Sequence, residues 1–263
     1  MQAMKLQSEN HNVSSLKTLV YQSFRTEGIP VWMATCMKSV KDWADHKNYA
    51  YEFLDDSFFG YAPAWFREAT NNQRHLVADF ARLELANLYL NKGWDRVIWV
   101  DADVFICDIE CFEIDERSDF LLCRELWVTR RDAQVVCSKR VNNSVMMFAK
   151  GNDFLHFYRL ACQKIVMAKK HECKHTEIGT GFLSGIPRDL PLLKTVACLS
   201  PFLLSVFAHK RYEIIEAYEQ EFYDPVLAVN LCLTFRDWQY DGVILSDEVY
   251  LAVIDYFKKS RNP

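Results

Sequence analysis

One stretch limits what this chain can fold into: Val97-Ile98-Trp99-Val100 runs straight into Asp101-Ala102-Asp103. Four apolar residues without alternation read as a strand buried on both faces, as in the parallel sheet of an α/β protein. Just upstream, Leu76, Phe80, Leu83 and Asn87 share one helical stripe. Val77, Ala81, Leu85 and Leu88 widen it, and Asn91-Lys92-Gly93 supplies a stop. Helix, glycine stop, buried strand is a unit of an α/β fold. Two carboxylates at the end of such a strand cost desolvation energy unless something positive meets them.

The rest of the chain repeats the rhythm. A first strand is expected at Ile29–Ala34, opened by Pro30, then a helix through Trp43 and a second strand over Tyr49–Phe53. Further strands are expected in "DFLLCREL" and "SVMMFAK", followed by a helix that starts at Asn152-Asp153. "EIGTGFLSGIP" reads as a glycine-rich loop with a short element. A last helix opens with Ser246 as N-cap and Asp247-Glu248 in its first turn. No repeat or linker divides the 263 residues, so one domain over 1–263 is expected, with 1–15 a loose tail.

Composition excludes several classes. A net charge of −4 gives no reason to expect a nucleic-acid partner. No apolar run approaches the roughly 20 residues of a transmembrane segment, and the polar N-terminus lacks the core of a secretion signal. Nine cysteines, an odd number without a Cys-x-x-Cys pair, are expected to remain thiols in a cytoplasmic protein.

Strand alternation turns residues i and i+2 to the same side, so Asp101 and Asp103 are expected to converge on one point. A hard divalent cation, Mn²⁺ or Mg²⁺, resolves their repulsion, with ligand phosphates and water completing its shell. Asp79 and Arg82, three apart, share a face of the preceding helix. "HECKH" (His171, Cys173, His175) has spacings too tight for a structural zinc site and reads as a solvated loop. "GTGFLSG" lacks the spacing and context of a dinucleotide loop.

Together, "VADFARLELANLYLNKGWDRVIWVDADVFI" resembles the signature of the Asp-x-Asp sugar-binding glycosyltransferases, family 32, which includes the catalytic domains of the large clostridial toxins. The elements occur in order: Asp79, Arg82, Leu88-Tyr89, Gly93, Asp101, Asp103. "IPVWMATCMKS" is similar to the family's first strand, "NNSVMMFAKGNDFL" to its asparagine-bearing strand and helix, and "IGTGFLSGI" to its Thr-Gly turn. The resemblance spans most of residues 29 to 185. It implies a GT-A fold, with a Rossmann-like, mostly parallel sheet flanked by helices. It further implies transfer of a sugar from a UDP- or GDP-sugar to a glycan, small-molecule or protein acceptor, with retention of configuration. In that scheme Trp32 contacts the donor base, Asp79 the ribose or sugar hydroxyls, and Arg82 orients the sugar or its carboxylate neighbours. Asp101 meets the ribose or sugar, Asp103 ligates the metal, Asn142 or Asn143 reaches the reacting carbon, and Thr180-Gly181 forms the donor-side turn.

There are departures from the family pattern. One glycine precedes the strand where two are usual, Phe182 stands where proline is common, and "AVNLCLTFRDW" carries Asn230 in place of a histidine and Asp237 before Trp238. An asparagine still offers an oxygen to a metal. Two rival readings are a nucleotide-sugar or glycan binding protein without turnover, and a haloacid dehalogenase-type phosphohydrolase using Asp101 and Asp103. In the latter the motif normally opens the domain, whereas about 100 residues precede it here, and "ILSDEVY" substitutes poorly for its later acidic motif.

Overall fold

The computed structural model of the protein describes residues 16–132, 134–187, 189–221 and 225–261. The expected tail, 1–15, lies outside the described residues. The architecture is mixed α/β, a mostly parallel six-stranded sheet flanked by helices. Its strands are β1 (Thr18–Ser23), β2 (Ala50–Leu54), β3 (Arg96–Val100), β5 (Phe120–Arg131), β6 (Gln134–Ala149) and β7 (Leu192–Leu193), in the order β2-β1-β3-β6-β5-β7. Only β6 runs against the rest: it pairs antiparallel with both β3 and β5, while the other pairings are parallel. A second sheet has the order β4-β9-β8, built from β4 (Val104–Ile106), β8 (Val196–Cys198) and β9 (Ala228–Asn230).

The burial of β3 follows its side-chain alternation. Val97 and Trp99 enter one core with Tyr21, Phe66, Phe80 and Tyr158, under helices α2 (Ala64–Ala69), α3 (Arg74–Asn91) and α4 (Asp153–Lys169). Ile98 and Val100 enter another with Val20, Val40 and Trp43, under α1 (Val31–His46). A continuous apolar run is what such a two-sided strand requires. A third core joins α1 to the second sheet and to helices α6 (Pro201–Ala208), α7 (Tyr212–Glu221) and α8 (Asp247–Arg261).

The strand expected at Ile29–Ala34 is instead the start of helix α1, which Pro30 precedes. Trp32, Met33, Cys36, Val40, Trp43 and Ala44 are its buried apolar residues. That is helical spacing, which a six-residue apolar window does not reveal. The true first strand, Thr18–Ser23, lies between β2 and β3 and has only short apolar content. Ser246 immediately precedes α8, as expected, and its hydroxyl turns to the Glu248 carboxylate. Among the described residues, no helix is long and apolar enough to cross a membrane.

Trp43 is fully buried, packs edge-on against Phe112 and donates Nε1 to the Phe112 carbonyl at 2.9 Å. Trp43→Ala is expected to lower the unfolding free energy by about 3–5 kcal/mol in urea titration, since it leaves a cavity and an unpaired carbonyl. A loss below about 1 kcal/mol would contradict this packing.

Candidate functional site

Asp101-Ala102-Asp103 is the corner where the chain leaves the main sheet for the second one. It is a turn, not a continued strand: the Val104 amide donates to the Asp101 carbonyl at 3.1 Å. The expected strand alternation therefore does not operate here, yet both carboxylates line one cleft of about 610 Å³. Asp79, Arg82, Asn142, Asn143, Thr180 and Asn230 line it too.

The positive group that meets Asp101 is the Arg82 guanidinium, whose Nη1 donates to Asp101 Oδ1 at 2.9 Å and to the Asn143 carbonyl at 3.0 Å. Its Nη2 pairs with Asp79 Oδ1 at 3.3 Å and its Nε donates to the Ala78 carbonyl at 3.3 Å. The guanidinium lies over the Trp99 ring, 4.8 Å from its centroid. Trp99 Nε1 in turn donates to Asp101 Oδ1 at 2.6 Å. Asn143 Nδ2 donates to Asp79 Oδ1 at 2.8 Å. Burial pushes the carboxyls of Asp79 and Asp101 above their ordinary range, and Arg82 opposes both shifts. Arg82 is thus committed to protein partners and acts as a positioning residue. Both donors to Asp101 converge on Oδ1; among the described residues no protein donor meets its Oδ2.

Asp103 is held from the second sheet. Its Oδ2 accepts from the Leu233 amide at 2.7 Å and its carbonyl from the Leu231 amide at 3.0 Å. Burial raises this carboxyl as well, against the Leu233 amide. Asn230 lies one residue away on β9, with Oδ1 accepting from the Cys232 amide at 3.0 Å. A carboxamide oxygen has two acceptor positions, so one remains. Among the described residues no three His, Cys, Asp or Glu side chains cluster as a metal cage. The donors present are oxygens on two carboxylates and an amide. They fit a hard divalent cation whose remaining positions are filled by ligand phosphates and water.

Both asparagines reach the cleft because the strand is irregular. The β5–β6 register shifts between Leu121 and Cys123, so the alternation that would separate neighbouring side chains breaks at Asn142-Asn143. Asn142 Nδ2 donates to Glu125 Oε2 at 2.5 Å, while Asn143 serves Asp79. Gly179, which caps α5 (Thr180–Ser184), is required by close approach: a Cβ there would lie 2.6 Å from Asp79 Oδ2.

Two expected donor residues fall outside the cleft. Trp32 is fully buried on α1, stacks on Tyr250 at 4.3 Å and donates Nε1 to Asp247 at 2.8 Å; it contributes to the core. The misplaced strand is the reason for that error. Gly181 faces a neighbouring apolar groove, and its amide bonds the Thr176 carbonyl at 2.9 Å.

Other cleft residues were not assigned to the site from the sequence. His75 precedes Asp79 by one helical turn, so the α3 stripe through Asp79 and Arg82 could have found it. Glu125, Trp127 and Arg140 also line the cleft, with Glu125 opposite Arg140 in the β5–β6 ladder and their side chains 2.8 Å apart. Trp238 lines the rim, edge-on to Phe235. His175, read as part of a solvated loop, lines the cleft with its ring 5.9 Å from that of His75, whereas Cys173 of the same stretch is buried.

No family model matches the chain, and no curated protein matches it. Solved structures do. One is a glycosyltransferase involved in glycosylation of the major capsid of PBCV-1, at 14% identity and TM-score 0.49, covering 90% of this chain and 99% of that one. A second is the galactosyltransferase LgtC in complex with donor and acceptor sugar analogs, at 13% identity and TM-score 0.47, covering 91% and 95%. A third is the apo-form glycosyltransferase GlyE of Streptococcus pneumoniae TIGR4, at 13% identity and TM-score 0.43, covering 94% and 64%. Each is similar to this chain in outline only.

Arg82→Met is expected to destabilise the protein by roughly 3–5 kcal/mol, because it strands Asp79 and Asp101 among buried groups. Adding Asp101→Asn should recover part of that loss in a double-mutant cycle. Strict additivity of the two changes would show that the pair is not coupled.

Proposed function

We propose that the chain is a metal-dependent GT-A glycosyltransferase that takes a sugar from a UDP- or GDP-sugar and passes it, with retention of configuration, to a glycan, small-molecule or protein acceptor. The observation that carries this reading is the oxygen donor set of Asp101, Asp103 and Asn230, in one cleft with the Asp79–Arg82–Asn143 network. The resemblance of residues 79–103 to the Asp-x-Asp glycosyltransferases supports it independently of the cleft geometry. A cytoplasmic location accords with nine free thiols.

In this reading Asp103, Asn230 and Asp101 would hold Mn²⁺ or Mg²⁺, which would supply Lewis-acid stabilisation of the charge that grows on the leaving diphosphate. Arg82 fixes Asp101 in place and opposes the burial that raises its carboxyl. Asp79, its Oδ1 already taken by Asn143 and Arg82, accepts a sugar or ribose hydroxyl at Oδ2. Asn142 and Asn143 place amide groups beside the reacting sugar, and Thr180 closes the donor side. The phosphohydrolase alternative needs Asp101 as nucleophile, a role opposed by two donors on its Oδ1.

The pH dependence has a definite sign. Asp79, Asp101 and Asp103 have carboxyls raised by burial, so the folded chain binds protons that the unfolded chain has released. Without ligand, stability therefore falls as pH rises from the ordinary carboxylate range through the folded values. A cation held by the ionised pair reverses that penalty. The Tm gain from Mn²⁺ plus donor is expected to be larger at about pH 8 than at about pH 6. Equal gains would argue against the carboxylate site.

The decisive panel measures thermal shift and donor hydrolysis for UDP- and GDP-sugars with and without Mn²⁺. One donor should stabilise the protein only with metal and be slowly hydrolysed, and Asp103→Asn should abolish both effects with little loss of stability. Stabilisation without hydrolysis would favour the binding-only reading, and no response to any donor would overturn the proposal.

A further inference from the structure

Cys198 and Cys232 have no part in the chemistry above, yet both line the cleft. Cys198 ends β8 and faces Asn230 of β9 in the parallel register, and Cys232 follows two residues later. Their sulfurs are 3.4 Å apart, in thiol–thiol contact. Cys232 has φ of +54°, a left-handed backbone that costs a non-glycine residue about 1 kcal/mol or more. The turn it occupies is the one that positions the cation end of the cleft. The Leu231 and Leu233 amides hold Asp103, and the Cys232 amide holds Asn230.

We propose that Cys198 and Cys232 are a redox modification site: they close to a disulfide by exchange with a small-molecule disulfide such as oxidised glutathione, and closure draws the Leu231–Leu233 turn away from Asp103. The functional consequence rests on the proposed cation and donor site; the exchange itself does not. Cys232 is part-exposed and Cys198 buried, so Cys232 reacts first. Its thiolate attacks one sulfur of oxidised glutathione, forming a mixed disulfide and releasing one glutathione thiolate. Cys198 then loses its proton and attacks the Cys232 sulfur. The Cys198–Cys232 bond forms, the mixed bond breaks, and the second glutathione leaves. The protein loses two protons and two electrons, and glutathione gains both.

The surroundings set the order and the pace. Cys232 is the more exposed of the two thiols, and exchange without an enzyme runs on the minutes-to-hours scale of uncatalysed disulfide chemistry. A disulfide bond is shorter than the present contact by more than an ångström. The turn is the side that yields, because Cys198 is fixed in a strand whereas Cys232 lies in a strained, irregular segment.

The test equilibrates the full chain in glutathione buffers of rising oxidised fraction, quenches with acid and alkylates under denaturing conditions. The reduced protein should take nine alkyl groups and the oxidised protein two fewer, with a peptide map joining Cys198 to Cys232. Cys198→Ala should stop at a glutathione adduct on Cys232. Alkylation of all nine thiols in fully oxidised buffer, or a bond between other cysteines, would overturn the site. The same samples are then titrated with Mn²⁺ plus UDP- or GDP-sugar, and oxidation should remove most of the ligand-induced Tm gain. A disulfide that forms with that gain intact would overturn its coupling to the cleft. A reduced protein with no gain for any donor would sink the glycosyltransferase reading and leave the mapped disulfide standing.

Discussion

The main-sheet side of the cleft depends on one buried cation, the Arg82 guanidinium. It touches Asp79, Asp101 and the Asn143 carbonyl while lying over Trp99, so a single side chain ties together α3, β3 and β6. Its own backbone is fixed in turn, since Tyr21 of β1 donates to the Arg82 carbonyl at 2.8 Å. Carboxylates held this way are oriented before any ligand arrives, and preorganised charge is what a site needs if it is to act on charge that develops during a reaction. The arrangement also carries a liability. Removing any one member leaves its partners buried and uncompensated.

The second constraint is topological. β3 belongs to the main sheet and β4 to the other, and the Asp-x-Asp turn is the joint between them. Asp101 is positioned by the main sheet through Ser144, whose carbonyl accepts the Asp101 amide at 2.7 Å, and by Gln22 of β1, which donates to the Asp101 carbonyl at 3.2 Å. Asp103 is positioned by the second sheet through Leu231 and Leu233. The two carboxylates are thus held by different sheets that meet at one edge of the cleft. In the proposed function Asp101 and Asp103 would hold a cation at that joint, and the Cys198–Cys232 contact lies on its second-sheet side.

How much of this was legible follows from the range of each interaction. Helix α3, its glycine stop and strand β3 could be read because their signals are local: a 3.6-residue stripe, then an uninterrupted apolar run. Asp79 and Arg82 fall on α3 and Asp101 and Asp103 on the turn that follows β3, and all four line the cleft. Trp32 was misassigned because Ile29–Ala34 is too short for its period to be measured, and the true first strand, Thr18–Ser23, offers a weaker pattern. Asn142 and Asn143 could not be separated since a register shift brings both to the cleft, and registers are set by the partner strand. Glu125, Trp127 and Arg140 were invisible for the same reason. Gly181 was taken for a donor contact, although it is Gly179 whose missing side chain makes room for Asp79.

The most direct test of the account is electron–nuclear double resonance on Mn²⁺ added to the protein with a nucleoside diphosphate. The account predicts a bound manganese with phosphorus coupling from the diphosphate, present in the wild-type chain and absent in Asp103→Asn. Nucleotide bound without manganese, or manganese with phosphorus coupling undiminished in that variant, would contradict it.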